Sequence, residues 1–238
     1  MSTHVVGPSG SSEVRLRHRL SVHWAWLTGG YALAFVMPFL FADMLEINRD
    51  LFYGLYAAAV AGLFMAWSRS TGYDLVAAAK RRWPAAVVLG LAAGGALAAM
   101  VLRTEEATAR PDGLQLVGAV AWRGILYGVT DGLLLSVFPI ITVFAAFAGT
   151  RLTEGIGGKV MIGLVALAAS LSMTAFYHAG YSDFRSEKMQ KPLTGDVIWS
   201  APTLLTLNPI GAPIAHAGMH TSAVLHSYET ETFLPPHR

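Results

Sequence analysis

The chain has no cysteine among its 238 residues, and only 13% of its residues carry a charged side chain. Without cysteine, the protein cannot hold a disulfide framework, a thiolate-bound metal ion or an iron–sulfur cluster. Hydrophobic residues make up 54% of the chain, whereas a disordered protein needs low hydrophobicity and a high net charge. The composition therefore excludes a disordered chain and disfavours a soluble globular enzyme.

The chain also lacks a strong net charge, since 17 basic and 15 acidic residues leave a formal charge of +2. The Lys and Arg residues stand in short clusters between apolar runs, which is the pattern that membrane topology produces. This pattern predicts no nucleic-acid partner. The partner that it predicts is the lipid bilayer.

Long apolar runs are the main positive feature of the sequence. A membrane-spanning helix needs about 20 mainly apolar residues, and six runs approach or exceed that length, over about residues 24–44, 51–67, 84–102, 114–149, 160–180 and 197–228. We therefore predict an all-α polytopic membrane helix bundle with about six transmembrane helices, in a range of six to eight. Proline is expected to break or kink some of these helices, at Pro139 in the fourth run and at Pro202, Pro209 and Pro213 in the sixth.

The polar ends of the chain set the predicted domain boundaries. Residues 1–20 are predicted to be a disordered basic tail, residues 21–228 a single transmembrane domain, and residues 229–238 a C-terminal tail. With six spans, ten Lys and Arg residues fall on the side that holds both termini and six fall on the opposite side. Because basic loops stay in the cytoplasm, the count predicts a cell-membrane protein with both termini cytoplasmic.

Ionisable residues inside membrane segments are costly, so each of them is a candidate functional residue. The candidates are Arg123 and Asp131 in the fourth segment, His178 in the fifth, and His216 and His220 in the sixth. All five fall in the last three segments, which predicts that these segments pack around a shared polar interior. Arg123 and Asp131 are also spaced so that both lie on one helix face, where they could neutralise each other or face a cavity.

His216 and His220 are four residues apart, so both imidazoles share one face of a helix. That spacing can ligate one divalent metal ion, and His178 is the candidate third ligand. A zincin metalloprotease would carry Glu directly after the first histidine, where this chain has Ala217. The alternative is that the histidines hydrogen-bond backbone groups that the prolines leave free.

The order of these residues resembles the CPBP family of CAAX-processing and bacteriocin-processing membrane proteases. That family carries Glu-Glu-x-x-x-Arg, Phe-x-x-x-His and His-x-x-x-Asn motifs on successive membrane helices. The chain offers Arg123-Gly124, the run Thr174 to His178, and His216-x-x-x-His220 in that order, over about residues 114–226. The resemblance implies an intramembrane protease that acts on a membrane-anchored peptide.

The chain departs from the family pattern at several motif positions. The two glutamates fall on Gly118 and Ala119, the Phe falls on Thr174, and the Asn falls on His220. A literal Glu-Glu-x-x-x-Arg occurs at 105–110, in a polar loop, and is interpreted as a coincidence. The resemblance therefore implies a diverged relative, active or inactive, in which Asp131 would have to supply the general base.

The sequence leaves two other functions open. The protein could be a non-enzymatic membrane subunit, bound to a membrane-protein partner, or a small transporter whose polar residues serve packing or proton movement. It could also be a membrane protein that uses the three histidines to bind a metal or cofactor. The sequence names neither a substrate nor an oligomeric state.

Overall fold

The computed structural model describes residues 10–230 and 232–235, with side chains from residue 19 onward. This part of the chain folds into eight helices and contains no β-strand, which confirms the all-α prediction. The helices are α1 (Gly10–Met37), α2 (Arg49–Thr71), α3 (Leu75–Lys80), α4 (Trp83–Thr104), α5 (Gly113–Phe147), α6 (Ile156–Ala179), α7 (Gln190–Thr206) and α8 (Gly211–His226). A π-helical turn, Pro38–Met44, extends α1.

Five helices are long and apolar enough to cross a membrane: α1 with its π-helical extension, α2, α4, α5 and α6. The protein is therefore a multi-pass integral membrane protein whose outer surface contacts lipid. The sixth predicted segment corresponds to two shorter helices, α7 with 17 residues and α8 with 16. The two are packed into the bundle, and α8 makes its most extensive contacts with α5 and α4.

The break between α7 and α8 lies at the predicted prolines. Leu207 adopts a left-handed conformation with φ of 53°, and Pro209 has no N–H with which to continue a helix. The Asn208 side chain stabilises the break, because it accepts from the Ile210 N–H at 2.8 Å and donates to the Ala79 carbonyl at 2.9 Å. The prediction of a proline-broken sixth segment is confirmed.

Of the two outcomes predicted at Pro139, a break or a kink, the break is wrong. α5 is one helical run of 35 residues, with π-helical turns at Val120–Leu126 and Gly132–Val137. Pro139 follows the second π turn, where the Leu135 carbonyl accepts a hydrogen bond from the Ser170 hydroxyl at 2.7 Å. Pro139 has no N–H with which to bond the Leu135 carbonyl four residues earlier, so the Ser170 hydroxyl on α6 satisfies that carbonyl instead.

Both predicted tails differ from the structure. α1 begins at Gly10, so residues 10–20 are helical, as their content of Arg, Leu and Glu permits, and residues 1–9 lie outside the described part. At the other end, Phe233 and Leu234 are buried and pack against α4 and α8 residues in a second core cluster. Phe233 and Leu234, placed in the predicted C-terminal tail, therefore pack as part of the bundle.

The bundle has two ends, because successive long helices alternate in direction. The loop between α2 and α4 lies at the first end, where Asn208 contacts Ala79. The loop between α4 and α5 lies at the second end, where the Thr108 N–H donates to the His226 carbonyl at 3.0 Å. α1 starts at the first end and α8 finishes at the second. This arrangement lends no support to the prediction of two cytoplasmic termini, and the side on which each terminus lies stays a prediction.

Candidate functional site

A cavity of about 320 Å³ lies between α4, α5, α6, α7, α8 and the residues after α8. Four of the five predicted site residues line it: Asp131, His178, His216 and His220. All four are at most 7% exposed. The predicted shared interior therefore exists, although one of its expected members, Arg123, lies elsewhere.

Glycines on α5 let α8 come close enough to place its histidines beside Asp131. A β-carbon at Gly128 would lie 2.7 Å from Ala217 Cα, and one at Gly132 would lie 2.6 Å from Pro213 Cα. Gly124 is similarly close to Thr221. The three glycines are spaced four apart, which puts them on one helix face. This row allows backbone contact between the two helices.

Asp131 and His220 form a close pair of ionisable side chains in the cavity. His220 Nε2 lies 3.3 Å from Asp131 Oδ2, and both side chains are buried. The other ring nitrogen of His220, Nδ1, donates to the Phe233 carbonyl at 2.6 Å, because a carbonyl oxygen can only accept. When His220 is neutral, Nε2 therefore presents a lone pair to a carboxylate oxygen, and only a proton or a cation between the two makes that contact favourable.

His216 supplies a second imidazole beside this pair. Its ring lies 6.1 Å from the His220 ring and 4.3 Å from the Trp199 indole, measured between centroids. Neither ring nitrogen has a hydrogen-bond partner among the described residues. Buried polar groups normally have partners, so the unpartnered nitrogens of His216 mark a position where a ligand or water would bind.

The three residues could hold a metal ion. One ligand atom from each of Asp131, His216 and His220 lies within 4.8 Å of the others, and all three residues are buried. The metal prediction named His178 as the third ligand, and the structure puts Asp131 in that place. His178 lines the same cavity, and its Nδ1 donates to the Thr174 carbonyl at 2.8 Å, so Nε2 is left as the acceptor.

Arg123 does not belong to the cavity, contrary to the prediction, and it does not pair with Asp131. Its guanidinium group makes two 2.8 Å hydrogen bonds to the carboxylate of Asp50 at the start of α2. Its charge also lies over the Tyr228 ring, 4.8 Å from the centroid. Eight residues of helix separate Arg123 from Asp131 by about 12 Å, and Asp50 is close enough to neutralise the arginine instead.

A cluster of buried tyrosines packs beside the site, and one of them, Tyr127, lines the cavity. The Tyr127 and Tyr177 hydroxyls are 2.8 Å apart, and those of Tyr177 and Tyr181 are 3.0 Å apart. The Tyr127 ring lies 4.8 Å from the His220 ring, and Tyr56 lies beside Asp131. Tyr56 is on α2, Tyr127 on α5, and Tyr177 on α6 with Tyr181 just after it. The four-residue spacing of Tyr177 and Tyr181 is visible in the sequence, but their approach to Tyr56 and Tyr127 is not.

A second buried carboxylate, Asp196 on α7, was also missed. It is fully buried and its Oδ1 accepts from Trp199 Nε1 at 2.7 Å and from the Ser200 hydroxyl at 2.6 Å. The sequence places these partners three and four residues after Asp196, which is the spacing of neighbours on a helix face. That spacing could have revealed the network. Trp199 connects it to His216.

The loop glutamates lie outside the cavity. Glu105 accepts a hydrogen bond from the Thr230 hydroxyl at 2.7 Å and lies 4.0 Å from the ammonium group of Lys191, which lines the cavity. Glu106 is exposed. This arrangement agrees with the interpretation of the loop motif as a coincidence.

The chain matches no family model, no curated protein and no solved structure. The functional proposal therefore begins from the chemistry of the cavity.

Proposed function

We propose that the protein is a membrane-embedded hydrolase that cleaves an amide bond of a membrane-anchored peptide at Asp131, His216 and His220. The observation that carries the proposal is the 3.3 Å contact between Asp131 and His220, beside a His216 ring without hydrogen-bond partners among the described residues. A buried carboxylate beside imidazoles is suited to general acid–base catalysis. The resemblance to the CPBP family supports the same class of reaction.

In this proposal Asp131 is the general base. It removes a proton from a water molecule as the water oxygen bonds to the carbonyl carbon of the scissile amide. An imidazole N–H of His216 donates to the oxyanion of the tetrahedral intermediate. The proton held by Asp131, passed on directly or through His220, then goes to the leaving nitrogen as the C–N bond breaks.

The cavity walls fit a short peptide segment with apolar side chains. Met100, Leu135, Met219 and Phe233 supply apolar surface, and Gln190, Lys191 and Thr194 supply polar groups at the start of α7. A volume of about 320 Å³ lies at the lower end of the usual range for ligand sites. Because the polar groups lie at the start of α7, the substrate is expected to enter from the second end of the bundle, where α7 begins.

A second candidate function is hydrolysis assisted by a divalent metal ion. Its support is the clustering of the three ligand atoms within 4.8 Å and the bond from His220 Nδ1 to the Phe233 carbonyl, since metal-binding histidines usually donate their outer nitrogen in this way. A carboxylate with two histidines is a common ligand set for zinc and non-haem iron. Such an ion would lower the pKa of a bound water.

The experiment measures cleavage of a membrane-tethered fluorogenic peptide by the purified full-length protein, with and without a chelator, together with the bound metal content. His216→Gln is the test variant. His226→Gln, a substitution at the end of the same helix, is the matched control. Both proposals predict that His216→Gln lowers the rate at least about 100-fold and that His226→Gln leaves it nearly unchanged.

The chelator distinguishes the two candidates. Activity that survives the chelator, with no bound metal, supports the acid–base mechanism. Activity that is lost with the chelator, with about one metal ion per chain that His216→Gln removes, supports the metal mechanism. A protein with no hydrolysis and no bound metal would overturn both and favour a non-enzymatic subunit or transporter.

A further inference from the structure

A second cavity, of about 610 Å³, lies at the first end of the bundle, beside the loop between α2 and α4. It is bounded by Phe64 of α2, Val76 of α3, Trp83 of α4, and Pro209 and Ile210 of the helix break. Apart from Lys80, every residue that lines it is apolar. Val76 and Trp83 are 64% and 55% exposed, so the cavity is a groove open to the outside of the bundle.

The depth of the groove matches one leaflet of a bilayer. Ala61, which also lines it, lies ten residues before Thr71, where α2 ends, which is about 15 Å along the helix axis. The hydrocarbon core of a bilayer is about 30 Å thick, so the groove reaches about half of that thickness. An acyl chain that enters beside α3 would fill it along its length.

The rim of the groove is basic. Lys80, Arg81 and Arg82 are consecutive and exposed, and Arg69 lies near the end of α2. Asp74 is the only acidic residue between Arg69 and Trp83, and its carboxylate caps α3 by accepting from the Ala77 N–H at 2.8 Å. Trp83 adds an exposed indole, a side chain typical of the membrane interface.

We infer that this groove binds an anionic phospholipid, with one acyl chain against Phe64, Val76 and Ile210 and the phosphate beside Lys80 and Arg82. Clustered basic residues beside membrane helices recognise anionic headgroups, and the apolar lining excludes a polar ligand from the groove itself. The floor of the groove is the break between α7 and α8, so the bound lipid would brace the helix that carries His216 and His220. The lipid site does not depend on the proposed hydrolase function.

The test uses the full-length protein in detergent, stripped of lipid, and native mass spectrometry with added phosphatidylglycerol or phosphatidylcholine. Lys80→Gln/Arg82→Gln removes rim charge and leaves Arg81, which hydrogen-bonds Tyr73, in place. Arg151→Gln/Lys159→Gln removes two exposed charges at the same end of the bundle, one before α6 and one in its first turn, and is the matched control. Ala61→Leu partly fills the groove without changing charge.

We expect about one phosphatidylglycerol per chain, bound at least tenfold more tightly than phosphatidylcholine. The Lys80→Gln/Arg82→Gln and Ala61→Leu variants should each weaken that binding at least tenfold, whereas the control double variant should not. Equal binding of the two lipids, or equal losses in the rim and control variants, would overturn the inference. Lipid-free melting temperatures within about 2 °C of the wild type would establish that the variants are folded.

Discussion

Replacing Gly128 with alanine should push α8 away from α5 and disturb the site without touching any of its side chains. The new methyl carbon would lie 2.7 Å from Ala217 Cα and 2.9 Å from both Ala217 N and the His216 carbonyl oxygen. Carbon atoms in contact are normally about 3.5–4.0 Å apart. All three neighbours are backbone atoms, so no side-chain rotation relieves the overlap, and α8 must move by up to about 1 Å.

The size of the effect follows from two opposing contributions. Overpacking costs about 1–3 kcal/mol, and a backbone clash belongs at the upper end of that range. Alanine returns about 1 kcal/mol of helix propensity. The expected net loss is about 2 kcal/mol, which for a chain of this size lowers the melting temperature by about 4–8 °C.

The assay is thermal unfolding in detergent, with Gly163→Ala as the matched control. Gly163 lies within α6 and has no atom within 4 Å of the position that a β-carbon would occupy. Its substitution should leave stability unchanged or raise it by up to about 1 kcal/mol. Equal melting temperatures for the Gly128 and Gly163 variants would refute the close contact between α5 and α8.

Three further predictions concern other parts of the molecule. Arg123→Gln and Asp50→Asn should each destabilise the protein. A double-mutant cycle should give a coupling energy of only about 1 kcal/mol, because Asp50 is 46% exposed and water screens the ion pair. Additive effects of the two substitutions would contradict the pairing. A chain that ends at Ser227 should lose hydrolysis or metal binding, because His220 loses its acceptor at Phe233; full activity would contradict a role for those residues. Reporter fusions should place the two termini on opposite sides of the membrane, because α1 starts at the first end of the bundle and α8 finishes at the second. Termini on the same side would mean that only one of α7 and α8 crosses the membrane.

The sequence predicts the helices well because each apolar run must satisfy its own backbone in lipid. The bounds of α2, α4 and α6 agree with the predicted runs to within about four residues, as expected of a boundary estimate. The end of α1 is also close, but its start at Gly10 was missed, since a polar helical lead has no hydropathy signal. Pro139 was misjudged, because the hydroxyl that satisfies Leu135 comes from Ser170, in a different helix.

Part of the site was predicted from the sequence, and the physical reason for the success or failure differs from residue to residue. The cost of an ionisable group in lipid identified Asp131 and the histidines as interior residues. It identified Arg123 as well, but it could not show that the partner was Asp50, 73 residues earlier in the chain. Asp50 lies in the first turn of α2, where the helix dipole alone favours an acidic residue.

The rates of peptide cleavage by Asp131→Asn and by Glu105→Gln/Glu106→Gln test the central claim most directly. The Asp131 substitution keeps the shape of the side chain and removes its charge and its proton-accepting oxygen, so cleavage should fall at least about 100-fold. The loop variant should cleave at nearly the wild-type rate, because Glu105 lies outside the cavity. The amide oxygen that replaces its carboxylate oxygen can still accept from the Thr230 hydroxyl. Loss of cleavage in the loop variant, with Asp131→Asn unaffected, would contradict the assignment of Asp131 as the base.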